Sequence, residues 1–202
     1  MPNWCSNSIA FYSENNEVTL LEAFHSDLQK YTNYNDHKTG KYSDWVGHWL
    51  QSNRIDTEEI YSRGFIESCE LYPDFVRVGM TTAWDSTPEI WDIMAQKYSL
   101  NYVFISEEPG CEVYINTDST GRFFGTRFVL NYFDLEYLQL DSETLERHGE
   151  RLRELSEETR YYDSFEEVMR DFNGFNFVAD DIETLNKQLE KFNLQVYEFA
   201  LE

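Results

Sequence analysis

The order of apolar and polar positions along the chain predicts alternating strands and helices. Residues 7–12 read as a strand, and Leu20, Leu21, Phe24, Leu28 and Tyr31 recur at helical spacing, predicting a helix over 17–31. Residues 32–44 form a polar loop, followed by a short helix carrying Trp45, Trp49 and Leu50 and a further one over 56–61. Residues 65–72 and 75–84 read as a hairpin turning at Pro73-Asp74. Ser86-Thr87-Pro88-Glu89 supplies a hydroxyl cap, a proline in the first turn and an early acid, and so starts a helix. The apolar stripe of that helix is Ile90, Trp91, Met94 and Tyr98. Residues 101–106 are a strand, Pro109-Gly110 turns the chain into 112–116, and another strand spans about 122–130.

With residues 32–63 taken as an insertion, this order is βαββαβ, the ferredoxin-like arrangement, and two further strands extend a mixed or antiparallel sheet. The last third is more helical. Residues 142–158 place Leu145, His148, Leu152 and Leu155 on one face, Ser164-Phe165-Glu166-Glu167 is a capping box, and Asp180 or Asp181 opens a helix with Ile182, Leu185, Leu189 and Phe192. A final strand is expected over 194–201. The expected class is α+β: a ferredoxin-like core over 1–130 and an acidic helical extension over 131–202.

Composition narrows the function classes. Aromatic residues are 17% of the chain, which favours strands and a real core over a disordered acidic tail. Against 16 Lys and Arg stand 38 Asp and Glu, a net charge of −22. That balance excludes a broad nucleic-acid or anionic-membrane contact surface and favours basic partners. The opening residues lack a basic region and an apolar run, and no apolar stretch is long enough to span a membrane, so a cytoplasmic location is expected. Cys5, Cys69 and Cys111 are too far apart for a disulfide framework or a metal-ligand set and read as reduced thiols.

The opening Met1-Pro2-Asn3-Trp4-Cys5-Ser6-Asn7 resembles that of the YubB/Api-like family of phage and plasmid proteins. Thr82-Ala83-Trp84-Asp85-Ser86-Thr87-Pro88 is similar to a second family segment before a helix, and Glu107-Glu108-Pro109-Gly110 to a turn between two strands. The family's Trp-Gly-Thr-Lys-Trp segment is replaced by Trp45-Val46-Gly47-His48-Trp49, and residues 131–202 have no counterpart. The resemblance implies a ferredoxin-like domain of mobile-element origin, and no activity.

No nucleophile elbow, phosphate loop or dinucleotide fingerprint occurs, and His25, His37, His48 and His148 have no ligand partner at metal-binding intervals. No cofactor or metal is expected. Trp4 reads as a plug against the sheet edge, His48 as a packing histidine, and the 121–125 glycine-aromatic cluster as a bend. The most suggestive feature is acidic. Glu146, Glu150, Glu154 and Glu158 recur every four residues, with Glu143 and Glu157 nearby. Helical rise spaces them about 6 Å apart, close to phosphates along one nucleic-acid strand. The expected function is an acidic binding protein that mimics nucleic acid and inhibits a host DNA- or RNA-handling or defence protein. The rivals are a small enzyme acting on a nucleotide or metabolite, supported only by aromatic richness, and a structural module of a phage or plasmid system.

Overall fold

The structure is a computed structural model that describes residues 3–32, 43–56, 60–131, 133 and 142–201. Most of the loop expected over 32–44, with His37, and the middle of the helix expected over 56–61 lie outside these residues. The chain divides into two compact units at Ser119/Thr120. Each unit carries one antiparallel sheet with helices, an α+β architecture.

The first unit is organised around β1 (Trp4–Tyr12). It pairs antiparallel with β3 (Phe75–Ala83) on one side and β4 (Asn101–Glu108) on the other. β2 (Gly64–Leu71) and β5 (Val113–Asn116) form the edges, giving the order β2-β3-β1-β4-β5. Because side chains alternate across a strand, Ile9 and Phe11 share a face with Val76, Val78, Met80 and Phe104. That face is covered by α1 (Val18–Thr32) and α3 (Pro88–Tyr98). Leu21, Phe24 and Leu28 of α1 and Trp91 and Met94 of α3 are fully buried. Each such side chain contributes about 1.5–3 kcal/mol relative to exposure. The two helices lie on the same side, since the Phe24 and Tyr98 rings stand 5.2 Å apart. α3 starts at its proline and stops at Ser99, whose φ of 53° is left-handed. Thr87 stands at its N-cap without making a side-chain cap bond, so the expected hydroxyl cap is not formed. The short α2 (Val46–Ser52) follows Trp45, whose indole fills the space a side chain at Gly47 would occupy.

One carboxylate ties the three helices together. Asp27 Oδ2 accepts from the Trp49 indole at 3.0 Å and the Tyr98 hydroxyl at 2.7 Å, while Lys30 Nζ donates to Oδ1 at 3.0 Å. Burial pushes the Asp27 carboxyl up, but the bonds from Tyr98, Lys30 and Trp49 outweigh it and hold it below its usual value.

The second unit has the sheet order β7-β6-β8, with β6 (Phe128–Leu130) central between β7 (Arg160–Tyr162) and β8 (Val196–Glu198). α4 (Ser142–Ser156), α5 (Phe165–Asp171) and α6 (Ile182–Leu189) pack through Leu152, Leu155, Val168, Leu185 and Leu189. Both expected caps are made. Ser164 Oγ accepts from the Glu167 N–H at 3.3 Å, and Asp181 Oδ1 from that of Thr184 at 2.7 Å. Asp171 is the hub here. It accepts from Arg151 Nη2 at 2.7 Å, the Tyr162 hydroxyl at 2.9 Å and Arg160 Nη1 at 3.3 Å.

Several expectations are corrected. Of the mixed and antiparallel alternatives, every strand pair is antiparallel. The strand expected over 122–130 does not extend the first sheet. Gly121 takes a left-handed φ of 70°, and the Arg127 guanidinium donates to the carbonyls of Phe124 and Thr126, so only Phe128–Leu130 stays extended, in the second sheet. β7 was not anticipated, and the final strand is confined to Val196–Glu198. Leu145 is 55% exposed, not part of the buried stripe. It lies two turns before Leu152, beyond His148, whose ring stacks on Phe175 at 4.3 Å.

Asp27→Ala leaves the buried Trp49 indole and the Tyr98 hydroxyl without their acceptor. It should lower the unfolding free energy by about 2–3 kcal/mol at neutral pH, read by urea denaturation. A carboxyl with a depressed folded-state pKa stabilises above its unfolded value and loses that contribution as pH falls through the folded one. The gap between wild type and variant should therefore narrow in acid.

Candidate functional site

The expected acidic row lies on α4 and just beyond it. Leu152 and Leu155 are fully buried and fix the inward side of the helix. At 100° per residue, Glu143, Glu146, Glu150 and Glu154 all fall on the side away from them, Glu150 most nearly opposite, and all four are exposed. Glu157 and Glu158 are exposed but follow the end of the helix. The row is partly compensated: Arg147 pairs with Glu143 at 2.8 Å and Arg151 with Glu154 at 2.7 Å. Arg151 is also held by Asp171. Glu146 and Glu150 have no ion pair among the described residues.

The first unit brings together three segments that are far apart in the sequence. The β1 register pairs Trp4 with Ala83 and Ser6 with Glu107, so residues 3–7, 82–88 and 107–111 meet at one end of the sheet. The Trp84 N–H donates to the Asn3 carbonyl at 2.8 Å, and Asn3 Nδ2 approaches Cys111 Sγ at 3.7 Å. On the helix-covered face, Asn7 is the centre of a buried polar network. Its Nδ2 donates to Thr82 Oγ1 at 2.8 Å and to the Cys5 and Met80 carbonyls, and its Oδ1 accepts from Ser106 Oγ at 2.7 Å. Glu108 is buried beside it; its Oε1 accepts from the Gly110 N–H at 3.0 Å, while Oε2 has no partner among the described residues.

The same sheet end holds Trp84 at a φ of 77°. A bulky residue in the left-handed region costs about 1–3 kcal/mol, a strain that persists only where the surroundings impose it. Here the imposing bonds are the one to Asn3 and that from Thr82 Oγ1 to the Asp85 carbonyl at 2.6 Å. Trp4 does pack against the edge strand β2, as expected, but does not seal it. It packs on Phe65 at 5.7 Å yet remains 44% exposed. Trp84 is likewise 45% exposed, and the sequence carries no signal for either exposure, because tryptophan usually marks core.

The remaining candidates resolve into structure. His48 Nδ1 lies 2.7 Å from Ser43 Oγ and its ring packs edge-on against Trp45. An open depression of about 550 Å³ in the second unit borders α6. Two of its polar groups are already engaged: Asn186 clamps both backbone groups of Val196, and Lys187 pairs with Glu183 at 2.7 Å. Among the described residues no three His, Cys, Asp or Glu converge as metal ligands, and no helix is long and apolar enough to cross a membrane. Burial, with Asp85 adding to it, pushes the Cys5 thiol up to about 12, and burial does the same to Cys69. Neither is a thiolate at neutral pH, so neither is a ready nucleophile.

No family model matches the chain, and no curated protein matches it.

Thiol accessibility tests this arrangement. A disulfide reagent at pH 7 should label the exposed Cys111 first in the native protein, and slowly. The hydrogen bond to Glu108 raises that thiol above its ordinary value. Cys5 should react only on unfolding, and the half-buried Cys69 more slowly than Cys111. Fast native labelling of Cys5 would show that the sheet end is open to solvent.

Proposed function

We propose that the chain is an acidic binding protein of mobile-element origin whose α4 face occupies the basic groove of a nucleic-acid-handling host protein. The observation that carries this reading is the two-sidedness of α4: Leu152 and Leu155 fully buried, and the glutamate row opposite and exposed. Side chains in the row repeat about every 6 Å along the axis, a spacing that suits a surface built to bind phosphates. Like charges four residues apart destabilise a helix, so the row is maintained against its own repulsion by the packing beneath it. The exposed pairs with Arg147 and Arg151 offset little of this, since exposed ion pairs are weak. The net charge of −22 gives the long-range attraction that steers a basic partner.

The first unit is read as ferredoxin-like. Its element order and the strand order β2-β3-β1-β4 support this, with α1 and α3 on one face and β5 as an added edge strand. In this reading the unit is the scaffold typical of many functions rather than evidence for one.

Reversing Glu146, Glu150 and Glu154 to Lys should reduce capture of the host partner at least tenfold, while circular dichroism stays unchanged because the helix is anchored by Leu152 and Leu155. The wild-type complex should dissociate at high salt. Capture by the triple variant at wild-type level would remove α4 from the interface.

A further inference from the structure

Exposed aromatic surface is concentrated at the end of the first sheet where the three motifs meet. Trp4, Phe65 and Trp84 are 44%, 37% and 45% exposed. Trp4 pairs with Ala83 and Phe65 with Thr81, so their rings approach from the two sides of β3, 5.7 Å apart and tilted by 56°. Trp84 follows Ala83 directly, held out of the core by its left-handed backbone and its bond to Asn3. Carboxylates stand beside these rings. The exposed Glu67 accepts a hydrogen bond from Thr81 Oγ1, across the β2–β3 pair from Phe65. Asp85, next to Trp84, is exposed, and its Oδ1 accepts from the Ser86 N–H at 2.7 Å. Arg63 is an exposed cation at the same strand end, its carbonyl accepting from the Ala83 N–H at 3.0 Å.

We propose that this sheet end docks an arginine-bearing segment of a protein partner. The inference rests on the reading of the chain as a binder of basic proteins, but places a second contact in the other unit. Indole and phenyl faces attract cations through the ring quadrupole, and adjacent carboxylates complete the site. Guanidinium suits it better than ammonium, because it stacks flat on a ring and forks onto a carboxylate at once. A single-stranded nucleic acid would also stack on such rings. Here it would bring phosphates against Glu67 and Asp85 in a chain of net charge −22.

The test uses the full chain with ¹⁵N-labelled tryptophan, in which Trp4→Phe and Trp84→Phe assign the two exposed indoles. Capped nona-arginine, nona-lysine and a thymidine oligonucleotide are titrated in turn, in wild type and in a Glu146→Lys/Glu150→Lys background that weakens α4 as a competing site. Nona-arginine should shift the Trp4 and Trp84 indole signals in both backgrounds, more tightly than nona-lysine. The signals of Trp49 and Trp91, which are fully buried, should stay in place and report an intact fold. Glu67→Gln with Asp85→Asn should weaken binding at least threefold, and Arg63→Gln should tighten it. Still Trp4 and Trp84 signals, an equal response to nona-lysine, or indifference to the Glu67 and Asp85 changes would overturn the proposal. A stronger response to the oligonucleotide would overturn it in favour of nucleic-acid stacking. A positive result here, together with unchanged partner capture after α4 reversal, would leave this contact standing and sink the α4 reading alone.

Discussion

The antiparallel register that holds β1 between β3 and β4 is the constraint on which the rest of the first unit depends. Pairing Ile9 with Val78 and Phe104 puts the apolar half of β1 under α1 and α3. The same register brings Asn7 to the Met80 carbonyl, Thr82 Oγ1 and Ser106 Oγ, so the polar half of the strand meets polar partners. A slip of one residue would turn Ile9 and Phe11 to the other face and strand Asn7 among groups it cannot bond. The register also brings residues 3–7, 82–88 and 107–111 to one place, which distance along the chain would not suggest.

In a chain this acidic, the carboxylates divide by what surrounds them. Asp27 and Asp171 are largely buried and each collects donors from several elements: Trp49, Tyr98 and Lys30 around the first, Arg151, Arg160 and Tyr162 around the second. These acids hold helices to one another and to a sheet, because a buried charge is tolerated only when its lone pairs are filled. Glu146 and Glu150 on α4 are the opposite case. They face solvent, are unpaired among the described residues and add nothing to the packing beneath them. Repulsion along that row and strain at Trp84 both oppose stability. Local rules broken without structural benefit are where function is best sought.

The elements with strong periodicity were legible in the sequence. The stripes of α1 and α3, the β2–β3 hairpin and the caps at Ser164 and Asp181 follow from residue type and spacing, and the structure places them within a few residues of expectation. Sheet membership was not legible. Phe128–Leu130 has the composition of a strand, but whether it adds to the first sheet or starts a second depends on the left-handed turn at Gly121 and partners 30 to 70 residues away. Exposure was legible only where opposite faces differ in polarity. The glutamates of α4 could be placed outward, whereas Leu145, Trp4 and Trp84 carry the signature of core and lie in solvent. Their exposure is set by where the neighbouring elements end, information that no single residue type holds.

The proposed substitution of α4 for nucleic acid requires that the two exclude each other from the partner's groove. With the captured partner purified and loaded on its own duplex DNA or RNA, the protein is titrated in and the complexes are separated by native electrophoresis. Mimicry predicts stoichiometric release of the nucleic acid, with no species containing all three components. A stable ternary complex, with nucleic acid still bound at saturating protein, would contradict it.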